Sequence, residues 1–377
     1  MSFEHYVRSG TKLLRCGYTT GTCAALAASG AVQLLLTDEA PAGLSVMTPK
    51  GWAVEVEPEL CRMEDGTALC AVRKDAGDDP DVTDGMLIFA AVTKTEGGID
   101  IDGGEGVGRV TKPGLDQPVG AAAINSVPRQ MIREAAEKIC AVCGYTGGLK
   151  IVISVPGGEA VAKRTFNPQL GIAGGISILG SSGVVEPMSE RAIVETTALE
   201  IRQAAAGGAE RLILLPGNYG MDYLTQNLPA LASVPRAKCA NFIGEAIDAA
   251  RLEGFREMLL IGHIGKLVKL AGGIMNTHSK TADCRRELIT CHAALCGAGA
   301  DTCRALMDEV TTDGCLAVLD RAGLRDAVMQ SLLHAIQAQL SRRAGDMRIG
   351  ALLFSNEAGF LGLTAGAEEL LTEWRTT

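Results

Sequence analysis

Three stretches in the second half of the chain join an apolar run to a glycine-rich close: LILLPGNYG ending at Gly220, MLLIGHIGK ending at Lys266 and ALLFSNEAG ending at Gly359. Each apolar run reads as a buried strand, and glycine just past a strand end lets a ligand approach backbone N–H donors closely. Strand-to-helix turns also carry glycine for steric reasons alone, so one such close is ambiguous. Three on one sheet edge favour a ligand rim. His263 stands between Gly262 and Gly265, and an imidazole titrating near pH ~6.5 can orient a ligand group or accept a proton. The competing role is a histidine that bonds only its own backbone. His278, set among Asn276, Thr277 and Ser279, carries the same two alternatives.

Other motifs weaken on inspection. Gly262 to Lys266 suggests a phosphate loop, but that motif needs four residues between its glycines and a Ser or Thr after the lysine, where Leu267 stands. GGEGVG, Gly103 to Gly108, resembles a dinucleotide fingerprint, yet the following RVTKPG holds Pro113 and shows no helix to receive a pyrophosphate. The stretch Lys74 to Gly85 gathers Asp75, Asp78, Asp79, Asp81 and Asp84 around Pro80. It lacks the alternating pattern and distal Glu of a calcium loop, which leaves an acidic turn with Asx-type bonds or a ligand-contacting loop. Cys140 and Cys143 form a C-x-x-C pair with no matching second pair, while Cys291, Cys296, Cys303 and Cys315 read as small apolar helix residues. No metal site is predicted.

The elements that must position these residues fall into two textures. The first half carries short β-type runs at Trp52 to Val56, Leu69 to Arg73, Met86 to Thr93 and Lys150 to Val155, with helices at Thr22 to Leu36 and Pro128 to Cys143. This pattern is α+β. From about residue 189 helix and strand alternate: helix Arg191 to Ala206, strand Arg211 to Leu215, helix Cys239 to Leu252 and strand Glu257 to Ile261. Helices across Lys266 to Ala271 and Ala282 to Leu295 and a late strand Arg348 to Ser355 follow. Such alternation implies a parallel sheet covered by helices on both faces. The boundary is placed near Pro187, giving domains 1–187 and 188–377.

Length and composition agree with that division. The 377 residues exceed the roughly 250–300 that one core supports. With 47% hydrophobic and 21% charged residues the chain is built to fold rather than stay disordered. A net charge of −9 argues against a nucleic-acid partner, which calls for a basic surface. The opening MSFEHYVRSGTKLL has no apolar core of a secretory signal, so the 12 cysteines read as reduced thiols of a cytoplasmic protein. Apolar runs such as Ile172 to Leu179 break well short of the ~20 residues a membrane span needs, so no membrane segment is predicted.

Longer blocks carry a family likeness. LRCGYTTGTCAA (Leu14 to Ala25), VRKDAGDDPDVTDG (Val72 to Gly85), IDGGEGVGRVTKPGL (Ile101 to Leu115), INSVPRQMI and SVPGGEAVAKRTFNPQLGIAGGISILGSSGVVEPMSE (Ser154 to Glu190) occupy the first half. LPGNYG, NFIGEAID and GHIGKLVKLAGGIMNTHSKTADCRRE (Gly262 to Glu287) occupy the second. Together they resemble the cobalt-precorrin-5B C1-methyltransferase family, with small departures at Cys16, Ala121 and Ala122.

The resemblance implies S-adenosyl-L-methionine as methyl donor and a small-molecule corrinoid acceptor, cobalt-precorrin-5B, converted to cobalt-precorrin-6A in the oxygen-independent route to cobalamin. Cobalt then arrives only as part of the substrate. It also implies an N-terminal α+β domain similar to the ribosomal-protein-S5 second domain, seating the corrinoid, and a Rossmann-like α/β domain holding the donor. A homo-oligomer is compatible with the sequence. On this basis the donor is expected against Gly217, Asn218, Tyr219, Gly262, His263 and Gly265, with His263 contributing to the transfer step. The acceptor is expected against Tyr18, Thr19, Thr20, Gly21, Thr22, Lys74, Asp75, Asp78 and Asp79, with Lys266, His278 and Ser279 as further contacts. The backbone N–H groups at Thr19 to Thr22, opening a helix, suit the acceptor's carboxylates. A non-catalytic corrinoid carrier and a phosphate-transfer enzyme are the alternatives; the second lacks a phosphate loop.

Overall fold

The computed structural model describes residues 3–9 and 11–374, and the chain divides into two compact units, Met1–Ser189 and Glu190–Thr377. The whole is a mixed α/β protein.

The first unit opens with a hairpin, β1 (Tyr6–Ser9) and β2 (Lys12–Arg15), then a short strand β3 (Gly17–Tyr18) and helix α1 (Thr20–Thr37). A second hairpin, β4 (Leu44–Met47) with β5 (Ala53–Val56), leads into β6 (Leu60–Glu64), β7 (Thr67–Arg73), β8 (Leu87–Thr95) and β9 (Ile99–Gly103). Then come β10 (Arg109–Val110), α2 (Ser126–Cys143), β11 (Gly148–Ser154), α3 (Gly158–Ala162), β12 (Ile172–Ala173) and β13 (Val184–Val185). The main sheet has the order β6-β7-β8-β11-β9, antiparallel except for the β11–β9 pair. Ile88, Ala90 and Val92 on β8 and Leu149, Ile151 and Ile153 on β11 are buried at alternate positions, the period of a strand with one face on the core. Against that face α1 packs beside α2.

Helix α1 is apolar all round, and by length and composition alone it could cross a membrane; 83% of it is buried in the protein, so it is a core helix. It lies so close to β7 that a Cβ on Gly30 would stand 2.7 Å from Cys70 Sγ and 2.8 Å from Leu44 Cδ2. Glycine at position 30 is what permits the approach.

The second unit runs α4 (Glu190–Ala206), β14 (Arg211–Leu215), α5 (Asn218–Asn227), β15 (Arg236–Lys238), α6 (Ile243–Leu252), β16 (Glu257–His263) and α7 (Ile264–Leu267). A 3-10 turn, Val268–Gly272, then leads to α8 (Arg285–Leu295), α9 (Ala300–Asp308), α10 (Thr312–Arg321), α11 (Arg325–Ala344), β17 (Arg348–Ser355), β18 (Gly359–Leu363) and α12 (Ala365–Trp374). The sheet order is β15-β14-β16-β17-β18, with only β18 antiparallel to its neighbour. Leu212, Leu214, Met258 and Leu260 face one apolar cluster, shared with α6, α8 and α11. Ile213, Leu215, Leu259 and Ile261 face another, shared with α5 and α12. Burial on both faces explains why these strands read as unbroken apolar runs.

Several expected elements differ: the helix expected across Lys266 to Ala271 is the short α7 followed by a 3-10 turn, and the one expected from Ala282 begins at Arg285. The helix expected from Cys239 begins only at Ile243, because Ala240 adopts φ 51° and Phe242 bridges to Asn276. The close after Ser355 does not lead into a helix: β17 turns back on itself into β18.

Candidate functional site

Strands β14, β16 and β17 are neighbours and parallel, so their carboxyl ends lie side by side on one edge. Past β14, Gly217 takes φ 107° and Asn218 already begins α5. The expected loop there is therefore a helix start, with Asn218 and Tyr219 exposed. Strand β16 runs on to His263, which caps α7: its Nδ1 accepts a hydrogen bond from the Gly265 N–H at 3.0 Å. A ring nitrogen that accepts carries no hydrogen, so the neutral ring bears its hydrogen on Nε2. Burial lowers the His263 pKa from 6.5, against the opposing charge of Asp313. The half-buried ring can thus donate to a ligand. Of the two roles expected for it, orienting a ligand group fits this geometry and accepting a proton does not, since the accepting nitrogen is occupied.

The rest of the rim is built from close packing and two lysines. Lys266 Nζ donates to the Ala240 carbonyl at 3.0 Å, and burial lowers its pKa. A Cβ on Gly217 would lie 3.4 Å from that Nζ. Lys238 Nζ reaches Asn218 Oδ1 at 3.5 Å. Gly262 has a different reason for its size: a Cβ there would stand 2.9 Å from Pro216 Cγ and 3.0 Å from Leu267. In that direction its neighbours are the protein's own side chains, so the lack of a side chain at Gly262 serves packing. The Tyr219 ring lies 6.1 Å from the His263 ring, which also packs edge-to-face with Phe354 at 5.8 Å.

His278 and Ser279 lie on a separate loop of the same unit. His278 Nδ1 accepts from the Lys280 N–H at 3.1 Å, and its own N–H donates to Asn276 Oδ1. Thr277 N–H meets the Asn241 carbonyl, next to the Ala240 that Lys266 holds.

In the first unit the two expected blocks are brought together, but their polar groups are largely engaged. Tyr18 N–H donates to the Asp75 carbonyl and its hydroxyl to the Arg73 carbonyl. Thr19 caps α1 by accepting from Thr22 N–H, Gly21 N–H donates to Leu179 O, and Thr22 Oγ1 donates to Gly183 O. Thr20 Oγ1 accepts from Leu179 N–H at 3.0 Å. All of Tyr18 to Thr22 are buried. The expected anion seat on these N–H groups is therefore corrected: the segment around Leu179 to Gly183 covers the helix start and Leu179 O takes the Gly21 donor.

The acidic stretch is a hydrogen-bonded turn. Lys74, 2% exposed, pairs with Asp81 at 2.7 Å. Arg15 grips Asp75 with both terminal nitrogens at 2.7 and 2.8 Å and holds its carboxyl below the usual range. Asp78 accepts from Arg15 N–H, Asp79 from Met188 N–H, and Asp84 from Ala76 N–H. Beside this turn Tyr18, Val72, Lys74 and Asp75 line a cavity of about 410 Å³.

Sequence reasoning missed Asp313 and passed over Ser355 within its third loop. Ser355 Oγ donates to Asp313 Oδ1 and accepts from the N–H groups of Glu357 and Ala358. The Thr-Asp-Gly after Thr311 was the available signal, since Thr311 caps α10. Nothing local places that helix start at the rim. Among the described residues, no group of three or more His, Cys, Asp or Glu is arranged to hold a metal ion.

Comparison with known proteins adds the following. The CbiD family profile matches residues 7–187, and the profile of the CbiD C-terminal domain matches residues 276–365. A Ruminiclostridium cellulolyticum protein named cobalt-precorrin-5B C(1)-methyltransferase is 48% identical over 94% of this chain and 92% of its own. A protein of the same name from Alkaliphilus metalliredigens is 43% identical over 98% of this chain and 97% of its own. A crystal structure of the cobalamin biosynthesis protein (cbiD) from Archaeoglobus fulgidus is 32% identical with a TM-score of 0.41, covering 75% of this chain and 87% of that one.

Proposed function

The chain belongs to the CbiD family, and we infer from its full-length relatives that it transfers a methyl group to C1 of cobalt-precorrin-5B. The observation that carries this is 48% identity over 94% of the chain to a protein bearing that name. The finer reading is that S-adenosyl-L-methionine is the donor, the product is cobalt-precorrin-6A, and the enzyme works in the oxygen-independent, cytoplasmic route with cobalt already in the substrate.

When bound, the donor supplies a sulfonium methyl already activated for transfer, and sulfur keeps the electron pair of the broken S–C bond as C1 forms the new C–C bond. The positive charge leaving sulfur passes to the ring, so charge balances. The protein's task is then to align the two carbons and exclude water, which can lower a barrier by up to about 7–11 kcal/mol. No covalent nucleophile is required of the chain.

Donor binding is assigned to the second unit, read as Rossmann-like because four adjacent strands are parallel and covered on both faces. The rim's groups suit an adenosyl sulfonium: the exposed Tyr219 ring gives an aromatic face, His263 Nε2–H a donor and Lys266 a charge for a ligand carboxylate. Gly217 keeps the space beside Lys266 Nζ clear. The first unit, read as similar to the ribosomal-protein-S5 second domain, is assigned the corrinoid, with the cavity lined by Tyr18, Lys74 and Asp75 taking part of the ring's periphery.

The test is incubation of the purified protein with cobalt-precorrin-5B and methyl-labelled S-adenosyl-L-methionine under anaerobic conditions. Label at C1 by NMR is expected. Binding of both compounds without transfer would make the protein a carrier.

A further inference from the structure

The hydroxyl of Ser355 orients the carboxyl of its neighbour Asp313. A serine hydroxyl has one hydrogen and two lone pairs. Here it accepts from the N–H groups of Glu357 at 3.0 Å and Ala358 at 3.1 Å, so its hydrogen is left for Asp313 Oδ1. Ser355 is 2% exposed and ends β17, which fixes this geometry from the sheet. Asp313 Oδ1 is thereby held as an acceptor in the first turn of α10, and among the described residues Oδ2 has no hydrogen-bond partner.

The carboxylate sits at the same rim as the donor-binding groups. His263 pairs in register with Phe354, one residue before Ser355. A Cβ on Gly265 would lie 3.7 Å from Thr312 Oγ1, so the start of α10 rests on the start of α7. Asp313 is half-buried, and among the described residues no Lys, Arg or His forms an ion pair with it. A half-buried carboxylate with no protein cation paired to it gains from a ligand that brings one.

We propose that Asp313, oriented by Ser355, is the specificity determinant by which this rim selects a ligand with a positive charge at its reacting centre over the neutral ligand left after transfer. The proposal rests on the reading that S-adenosyl-L-methionine binds here. It gives the enzyme a physical means of releasing product: once the sulfonium becomes a neutral thioether, the attraction to Asp313 is lost.

The test is calorimetric binding to the full-length protein of S-adenosyl-L-methionine, sinefungin, which carries an ammonium in place of the sulfonium, and neutral S-adenosylhomocysteine. The wild type is expected to favour the two cations. Asp313→Asn should weaken both by about fivefold and leave S-adenosylhomocysteine nearly unchanged. Ser355→Ala, which keeps the charge but frees its orientation, should show a smaller loss confined to the cations, and it carries the test should Asp313→Asn fail to fold. Equal weakening of all three ligands, or no weakening of the cations, overturns the role of Asp313 while leaving the donor site standing. A wild type that binds none of the three overturns both.

Discussion

The backbone N–H of Gly265 donates to His263 Nδ1 at 3.0 Å, and this bond determines which face of imidazole chemistry reaches the rim. Protonating that nitrogen would set two N–H groups against each other. It therefore works in the same direction as burial, which lowers the His263 pKa.

The first prediction concerns pH. A folded-state pKa below the unfolded value means the unfolded chain binds the proton more readily. The stability linked to His263 is thus whole above the unfolded value of about 6.5 and is lost as pH falls through the lower folded value. His292 is lowered by burial as well, so the measurement is the difference between wild type and His263→Asn in unfolding free energy from about pH 8 to pH 5. Wild type should lose more stability across that range. Parallel curves would place no linkage at His263. Losing the Nε2–H donor should also weaken S-adenosylhomocysteine binding by about 1 kcal/mol.

Gly262→Val should act on folding. Its Cβ would stand 2.9 Å from Pro216 Cγ and 3.0 Å from Leu267, and extra atoms in a packed interior cost about 1–3 kcal/mol. Denaturant unfolding should show that loss, and the folded fraction should bind S-adenosylhomocysteine as wild type does. Reduced affinity at unchanged stability would return Gly262 to the ligand face.

How far the sequence was legible differs between elements and contacts. Helix α1 and strands β7, β8, β14, β16 and β17 follow from apolar period and punctuation, because those signals are local. The stretch from Leu295 to Arg348 received no assignment, although Val328, Leu332, Ile336 and Leu340 recur at helical spacing on α11. Asn218 looked like loop because Pro216 and Gly217 precede it, yet those two residues are a helix entry. The candidate site was legible as far as adjacent strand ends go. Asp313 was not, because its place depends on α10 resting against α7, a tertiary contact with no spacing rule. Thr19 to Thr22 looked like free helix N–H groups because the segment covering them, Leu179 to Gly183, is distant in sequence.

That cover makes Thr20 a structural residue. Its Oγ1 accepts from the Leu179 N–H at 3.0 Å and lies 3.3 Å from the Leu179 carbonyl. Thr20→Val keeps the shape and removes the oxygen; Leu179 is exposed, so its amide can turn to water and the loss is that of one ordinary hydrogen bond, about 0.5–1.5 kcal/mol. Global stability should fall by that amount, and the Leu179 amide should exchange faster in hydrogen exchange. If stability is kept and only corrinoid affinity falls, Thr20 faces the acceptor instead.

The last prediction concerns Lys269, which is 2% exposed. Its Nζ donates to the carbonyls of Thr277 at 3.0 Å and Ala282 at 2.8 Å, with Asp283 at 3.6 Å. Three positions of one loop thus converge on a single buried ammonium, and the residues between Thr277 and Ala282 are His278, Ser279, Lys280 and Thr281. Lys269→Met preserves length and apolar contact but leaves two inward carbonyls without a donor and Asp283 without this partner. The cost should be about 2–4 kcal/mol, and it should be local. The Lys280 N–H, held by His278 Nδ1, and the Thr281 N–H, held by the His278 carbonyl, should exchange faster, while amides in β14 and β16 change only by the global loss. Ligand binding at the strand-end rim, measured with S-adenosylhomocysteine, should be weakened less than the loop is loosened. Unchanged exchange at Lys280 and Thr281 would mean that the loop is held by its own Asn276 and His278 bonds and that Lys269 is dispensable to it.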